Sequence, residues 1–359
     1  MDTFATVVGA GIVGLAVSSE IGDKGPVYVL EKEETYGRGI SSRNSEVIHS
    51  GIYYPPGSLK AMLCVEGNRL LYEIGERNGL PFRRTGKLVV ATDEEQEGYL
   101  HHLKENGERN GVEELEILPS EEVRKLQPCI RARLALWVPS TGILNAHKFM
   151  DYFYHKAREK GVEFAFGVEV VGISRVNGGF EVEVREPDGS SFSFTTEVLV
   201  NSAGLYADRV AGFLGYDYRI HFAKGVYFSL PSAKAKLVDV PVYPVPDRYS
   251  LGIHYKPELD GRGKLGPDIE YIERKEDYTV PPDKARDFHE SVRTFLPFVE
   301  PEDLVPEMAG IRPKLQGPGD DFRDFVIRQE EPGFVNLVGI DSPGLTAAPA
   351  IAKMVAGMV

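Results

Sequence analysis

Apolar positions follow two regimes along the chain. A strand-length apolar run over residues 4–8 leads directly into Gly9-Ala-Gly-Ile-Val-Gly14. Apolar positions then recur at helical spacing as far as Ile21, Gly22 stops the pattern, and Val27-Tyr-Val-Leu30 predicts a second strand. A glycine- and serine-rich loop fills residues 36–57. Residues 59–78 predict a long helix, with Leu59, Met62, Leu63, Leu70, Leu71 and Ile74 on one face and Gly79 as its terminator. Residues 87–91 predict another strand, and a charged helical stretch runs to about Arg109.

The middle of the chain alternates differently. Asn145 is placed to cap a helix that carries Phe149, Phe153 and Ala157 on one face and ends at Gly161. Three strand-like runs follow, over residues 162–171, 180–185 and 192–196. Gly178-Gly179 and Asp188-Gly189 stand at the turns, which predicts an antiparallel meander. Residues 197–201 predict a buried strand entering Ser202-Ala-Gly204 and a helix. Residues 222–278 are rich in Tyr, Pro and Gly with alternating strands. Residues 282–296 read as helical, and residues 334–338 as a strand before a glycine loop and a last apolar helix. The order predicts an α/β protein. A Rossmann-type domain is assembled from residues 1–79, 146–205 and 306–359, and an inserted antiparallel β-rich α+β domain, the substrate domain, comes from residues 80–145 and 206–305.

Composition narrows the class. The 359 residues suit two domains, and 42% hydrophobic with 26% charged residues is globular composition. The net charge of −13 argues against nucleic acid or an anionic membrane as a partner for the whole surface, so an anionic ligand needs local donors. Two cysteines, Cys64 and Cys129, are too few for a disulfide framework or a zinc site and suit a reducing compartment. The apolar stretch over residues 345–359 is shorter than the ~20 residues of a spanning helix and contains Lys353. A cytoplasmic protein with no metal, transit peptide or transmembrane segment is expected.

The chemistry begins at Gly9-x-Gly11-x-x-Gly14. The first glycine allows a tight turn, the second lets a pyrophosphate approach the backbone, and the third brings helix against strand. Glu31, 22 residues after Gly9, closes the next strand where it can accept from a ribose hydroxyl. These features predict a dinucleotide, FAD or NAD; a carboxylate at Glu31 disfavours the 2′-phosphate of NADP.

The run Gly39-Ile-Ser-Ser-Arg-Asn-Ser-Glu-Val-Ile-His-Ser-Gly-Ile-Tyr-Tyr54, followed by Pro56-Gly-Ser-Leu-Lys60, resembles the flavin-contacting loop of the D-amino-acid-oxidase-like FAD oxidoreductases, in their L-2-hydroxyglutarate dehydrogenase branch. Val198-Leu-Val-Asn-Ser-Ala-Gly204 resembles that family's second FAD motif. Val338-Gly-Ile-Asp-Ser-Pro-Gly-Leu-Thr346 resembles its C-terminal flavin loop, with Asp341 where Glu is common. His254 and Gly310-Ile-Arg-Pro313 continue the likeness in family order.

The resemblance implies a glutathione-reductase-like FAD domain and FAD bound without a covalent link, since neither cysteine has an attachment context. The cofactor would meet Gly9, Gly11, Ile12, Val13, Gly14, Glu31, Lys32, Val170, Ser202, Ala203 and Gly204. It would continue along Ser41, Ser42, Arg43, Asn44, His49, Ser50 and Gly51 to Arg312, Gly339, Asp341, Ser342, Pro343, Gly344, Leu345 and Thr346. The implied activity is oxidation of L-2-hydroxyglutarate, or a similar 2-hydroxy acid, to the 2-oxo acid by hydride transfer to flavin N5. His49 and His254 compete as the group that takes the hydroxyl proton, with an ordinary pKa of ~6.5 well matched to the task. Arg312 suits a bidentate carboxylate grip, with Lys60, Lys224 and Tyr54 as further substrate contacts and Tyr53, Tyr227 and Tyr243 as lining. An amino-acid or secondary-amine oxidase, or a flavin-binding electron-transfer partner without its own substrate, stays open as an alternative. So do the electron acceptor (oxygen, a quinone or a carrier protein) and peripheral membrane contact.

Overall fold

The computed structural model describes residues 1–246 and 252–359. The chain forms two compact units, one from residues 1–44, 146–223 and 311–359, the other from residues 45–145 and 224–310.

The first unit is built on parallel strands in the order Glu163–Phe166, Val27–Glu31, Thr3–Val8, Ser191–Asn201 and Phe334–Val338. Thr3–Val8 and Phe334–Val338 are nearly continuous apolar runs because both faces of the sheet are covered. The helix Ile12–Ile21 packs against the helices Ala146–Glu159 and Gly344–Ala356. Its Gly14, Ala16, Ser18 and Ser19 are buried, and side chains this small let the helices approach closely.

Two strand predictions in this unit need correction. The run over residues 162–171 is two strands with different partners: Glu163–Phe166 lies parallel to Val27–Glu31, whereas Glu169–Val176 is antiparallel to Gly179–Arg185. Gly167 separates them at φ +75°, a backbone conformation that L side chains rarely adopt, and its N–H donates to the Glu33 carbonyl at 2.8 Å. Conversely, residues 192–196 and 197–201 belong to one strand, Ser191–Asn201. Its outer half pairs antiparallel with Gly179–Arg185 and its apolar inner half joins the parallel sheet. The change from alternating Ser-Phe-Ser-Phe to continuous Val-Leu-Val marks the point where the strand passes from the meander into the covered sheet.

The second unit carries a sheet in the order Glu270–Ile272, His221–Leu230 (from Lys224 onward in this unit), Gly263–Leu265, Tyr255–Pro257, Val242–Pro244, Leu88–Ala91, Leu134–Trp137 and Glu116–Pro119. Val242–Pro244 and Leu88–Ala91 run parallel, and the pairs on either side of them are antiparallel. Val47–Ile48, Gly142–Leu144 and Phe82–Arg83 make a small three-stranded sheet. Residues 247–251, inside the stretch predicted to alternate strands, lie outside the described residues.

Helix Leu59–Asn78 forms as its ends dictate. Ser58 Oγ accepts from the Ala61 N–H at 3.1 Å, and Gly79 closes the helix at φ +62°. The predicted helix over residues 282–296 is shorter: a turn at Pro282–Lys284 leads into Ala285–Val292, after which Phe295 and Leu296 fold into the core.

The units divide the chain differently from the predicted domains. Residues 45–79 and 306–310 fall in the second unit, and residues 206–223 in the first. For the first of these shifts the cause is hydrogen bonding: from helix Leu59–Asn78, Asn68 Nδ2 donates to the His49 and Ser140 carbonyls and the Tyr72 hydroxyl to that of Ser140. Residues 206–223 stay with the first unit because Val210 and Leu214 pack with Val8, Leu30 and Phe334.

Candidate functional site

In the first unit the glycine turn is held by atoms that tolerate no side chain. A Cβ on Gly14 would lie 2.0 Å from the Gly9 carbonyl oxygen and 2.7 Å from Ser202 Oγ. Gly9 has φ +99°, and a Cβ there would meet the Ser202 carbonyl at 2.7 Å. Ser202 ties the second glycine motif to the first, its hydroxyl donating to the carbonyl oxygens of Val8 at 2.9 Å and Gly9 at 3.1 Å. Gly11 is different: a Cβ there meets only Ser41 Oγ, at 3.1 Å, so its other side is open. At the helix start the Ile12 N–H donates to Ser41 Oγ at 2.9 Å and the Leu15 N–H to the Gly11 carbonyl. Among the described residues no acceptor meets the N–H of Val13 or Gly14.

Glu31 ends its strand with a mostly buried carboxylate that accepts from the Ala10 N–H at 2.8 Å and the Glu33 N–H at 3.0 Å. Burial raises its proton affinity above the ordinary carboxylate range, and the two N–H donors work in the opposite direction. Lys32 points to the Tyr206 hydroxyl, 3.0 Å away, and to Glu33. Val170 is buried in a core cluster with Val8 and Leu30, so its side chain packs there.

The donors of residues 41–44 largely serve the loop itself. Ser42 Oγ donates to the Gly39 carbonyl, and the Asn44 amide donates to the carbonyls of Ile40 and Ser41 at 3.0 and 2.8 Å. Arg43 is half-buried. In the C-terminal loop Gly339 takes φ +72°, and Pro343 opens the helix Gly344–Ala356 with Leu345 and Thr346 in its first turn. Ser342 and Gly344 complete that turn, with the Gly344 N–H donating to the Asp341 carbonyl. Asp341 also uses its side chain: the buried carboxylate lies 3.4 Å from Lys314 Nζ. Lys314, which the sequence did not single out, therefore anchors this loop. Arg312, half-buried on the strand Val305–Lys314 that also carries Lys314, donates Nε to the Ala223 carbonyl at 3.5 Å.

The second unit gathers the histidines. The segment from His49 to Tyr54 is held by three asparagine amides: Asn68 donates to the His49 carbonyl, Asn106 to those of Ile52 and Tyr54, and Asn110 to those of Gly51 and Tyr54. Gly51 takes φ +102° within it. Ser50 and Tyr54 are buried beside it. His49 is buried too, and burial together with the charge of Lys87 pushes its imidazole down to about 3. That corrects the near-neutral pKa expected of it. His254 is likewise buried and held well below the ordinary histidine range, first by burial. Its ring stacks on Tyr243 at 3.8 Å between centroids.

Two lysines at this cluster escaped the sequence reading. Lys87 is fully buried, its Nζ 4.3 Å from the centre of the Tyr53 ring and 4.7 Å from that of Tyr243. Lys256, 2% exposed, pairs with Glu46 at 3.6 Å and Glu258 at 3.4 Å. Of the lysines that were singled out, Lys60 is buried in the first turn of helix Leu59–Asn78. Lys224 is bound to Asp277 at 2.9 Å and to the Thr279 hydroxyl at 3.1 Å, so its charge is already balanced. Tyr227 is buried under Lys264.

Comparison with known proteins gives consistent matches. The family model described as FAD dependent oxidoreductase matches residues 5–358. A mitochondrial L-2-hydroxyglutarate dehydrogenase of Arabidopsis thaliana is 37% identical over 98% of this chain and 82% of its own length. An L-2-hydroxyglutarate dehydrogenase of Indibacter alkaliphilus is 30% identical over 98% of this chain and 97% of its own. Among solved structures, the FAD-bound L-alpha-glycerophosphate oxidase of Mycoplasma pneumoniae superposes with a TM-score of 0.89 at 27% identity, covering 98% of this chain and 93% of that one.

Proposed function

The chain belongs to the family of FAD dependent oxidoreductases, and from that premise we propose that it oxidises L-2-hydroxyglutarate, or a closely similar 2-hydroxy acid, to the 2-oxo acid. The observation that carries the substrate class is the match along nearly the whole chain to two dehydrogenases bearing that substrate's name.

The first unit's residues fit FAD. The open side of Gly11 and the unclaimed N–H groups of Val13 and Gly14 suit a pyrophosphate at a helix N-terminus. Glu31 has lone pairs beyond its two backbone bonds for a ribose hydroxyl. Lys32, Val170, Arg43, Ala203 and Gly204 are assigned to the same cofactor. The turn from Gly339 to Thr346 is assigned to the flavin's pyrimidine edge, where a helix N-terminus favours negative charge. FAD, when bound, supplies the two-electron acceptor that takes the hydride from the carbinol carbon. The buried, neutral thiol of Cys64 is a poor nucleophile, which supports noncovalent binding.

His49 is assigned to accept the hydroxyl proton. Its burial keeps the imidazole neutral before substrate binds and also lowers its proton affinity. Arg312 is assigned to a substrate carboxylate, with Lys60 and Tyr54 as further contacts, and His254 orients through its stack on Tyr243. Lys224 is the weakest of these assignments because Asp277 already balances it. The two free cysteines suit the cytoplasm. Among the described residues no helix is long and apolar enough to cross a membrane.

Anaerobic reduction of the bound flavin by a panel of 2-hydroxy acids, both enantiomers of each, with L-glycerol 3-phosphate, amino acids and secondary amines, tests the proposal. L-2-hydroxyglutarate is expected to bleach the flavin fastest. Faster reduction by glycerol phosphate or by an amine overturns the substrate, and no reduction by any small donor favours an electron-transfer partner. Oxygen and a soluble quinone, added to the reduced protein, identify the acceptor class.

A further inference from the structure

The large sheet of the second unit has two unlike faces. Side chains alternate along its strands, and Leu88, Val242, Tyr255 and Leu265 all enter one apolar core cluster. The opposite face carries Lys87, Tyr243, His254, Lys256 and Lys264, and all five are buried. The second face of such a sheet commonly meets water. Here the segment that bears His49, in the same unit, lies on it. At the end of that segment the Tyr53 ring stacks on Tyr243, centroids 6.4 Å apart, with Lys87 Nζ over both rings. At its start the Glu46 carboxylate reaches Lys256 Nζ at 3.6 Å. His49 stands between these two fastenings, and Lys256 follows His254 on the sheet face.

Stability alone does not account for either partner of the ion pair. Lys256 stands directly opposite Lys264 in the strand register, and like charges facing each other across a sheet are destabilising. Glu258 lies between them, nearer Lys264 at 2.9 Å than Lys256 at 3.4 Å, and also meets Arg262 at 3.3 Å. Glu307 is a further partner of Lys264, at 3.1 Å. Glu46 is the partner that ties Lys256 to a distant part of the chain. It takes φ +53°, a conformation uncommon without glycine, and its carbonyl accepts from the Leu144 N–H at 3.0 Å. Such a backbone persists only where its surroundings over-determine it. A buried ion pair, moreover, adds little net stability over apolar residues of similar volume.

We propose that Glu46 and Lys256 are positioning residues for the oxidation: their ion pair fastens the His49 segment to the strand that follows His254, and so sets where His49 meets the substrate's hydroxyl. The proposal rests on His49 as the proton acceptor. Removing either partner loosens the start of the segment, while the Tyr53 contact still holds its end.

Hydrogen–deuterium exchange of the FAD-loaded protein reads the fastening without any substrate, and anaerobic flavin reduction by L-2-hydroxyglutarate reads its use. In Lys256→Met the amides of residues 46–50 should exchange about tenfold faster or more, with those of residues 3–21 as in the parent. Flavin reduction at saturating substrate should slow by about 10- to 100-fold with FAD retained, since small misplacements of a reacting group carry losses of that order. Glu46→Gln should give the same pattern to a lesser degree. Added to Lys256→Met it should slow reduction little further, because both act through one contact. Unchanged exchange at residues 46–50 overturns the proposal, and so does full additivity of the two substitutions. Faster exchange with parental reduction also overturns it where His49→Asn reduces slowly. If His49→Asn itself reduces at the parental rate, the assignment of the proton to His49 has failed and the proposal falls with it. If Lys256→Met does not fold, Glu46→Gln, at the half-buried end of the pair, decides by the same two readouts.

Discussion

Replacing Gly14 by alanine should loosen FAD binding through strain in the chain itself. The added Cβ would sit 2.0 Å from the Gly9 carbonyl oxygen, against the ~3.3 Å of a close C···O contact, so the two must part by about 1 Å. The obstacle is backbone, and Ser202 Oγ at 2.7 Å blocks an alternative shift. Overpacking costs about 1–3 kcal/mol, and an immovable carbonyl places this case near the upper end, at about 2–3 kcal/mol. If the strain is relieved by retreat of the helix start, its N–H groups leave the phosphates. At ~1.4 kcal/mol per decade, FAD affinity should then fall about 30- to 150-fold. Fluorescence titration of the apoprotein with FAD measures the affinity, and thermal melting of the apoprotein measures the strain. Gly11→Ala is the informative comparison: its Cβ meets one side-chain oxygen, Ser41 Oγ at 3.1 Å, rather than backbone, so the apoprotein should lose less melting temperature than Gly14→Ala while FAD binds more weakly. A Gly14→Ala protein with parental melting temperature and parental FAD affinity refutes the reasoning.

His49→Asn should retain FAD but slow anaerobic flavin reduction by L-2-hydroxyglutarate by about 10²–10⁴-fold, read by stopped-flow absorbance; near-parental reduction removes His49 from the chemistry. Because burial holds His49 at about 3 in the folded protein, the unfolded chain binds its proton first as pH falls, so stability declines from pH ~6.5 towards 3. Calorimetry at pH 7.5 and 5 should therefore show a smaller acid loss of melting temperature in His49→Asn than in the parent, and an equal loss contradicts the burial effect. Asn68→Ala removes the amide from the His49 and Ser140 carbonyls and should cost about 1–3 kcal/mol in urea denaturation, with slower flavin reduction as the histidine segment loosens; unchanged stability would mean that the amide does not hold the segment.

What the sequence displays well is whatever depends on neighbours along the chain. The strand, glycine turn, helix and Glu31 of the nucleotide motif are contiguous, and their roles follow from backbone sterics alone. Helix Leu59–Asn78 was equally legible because its cap and its terminating glycine are local devices. Pairing between distant strands was not. The same β-rich run, residues 162–171, serves two partners, and nothing but a glycine at φ +75° marks the break. The compact units differ from the predicted domains for a related reason. Helix Leu59–Asn78 is assigned to its unit by Asn68 and Tyr72 reaching carbonyls about 70 residues away. Asparagines at helical spacing look like surface residues, and only their distant acceptors give them a purpose.

Lys87 was hidden more deeply. In the sequence it opens a strand-like run as any edge lysine does, and the ordinary expectation for such a lysine is solvent. In the structure it is fully buried, within a unit that also buries the Ser50, Tyr53, Thr141 and Tyr243 hydroxyls and His254 Nε2 without a partner among the described residues. A core selected for stability alone would replace such groups by apolar ones of similar shape, often with a gain in stability. Tyr243, one of them, stacks on His254, and each such polar atom costs stability that an apolar replacement would not. The glycine turn and the histidine cluster are therefore different kinds of site. The turn is specified by the shape of the backbone and is visible in a few contiguous letters. The cluster is specified by the absence of water around charged and polar groups from distant strands, a property that arises only when the chain folds.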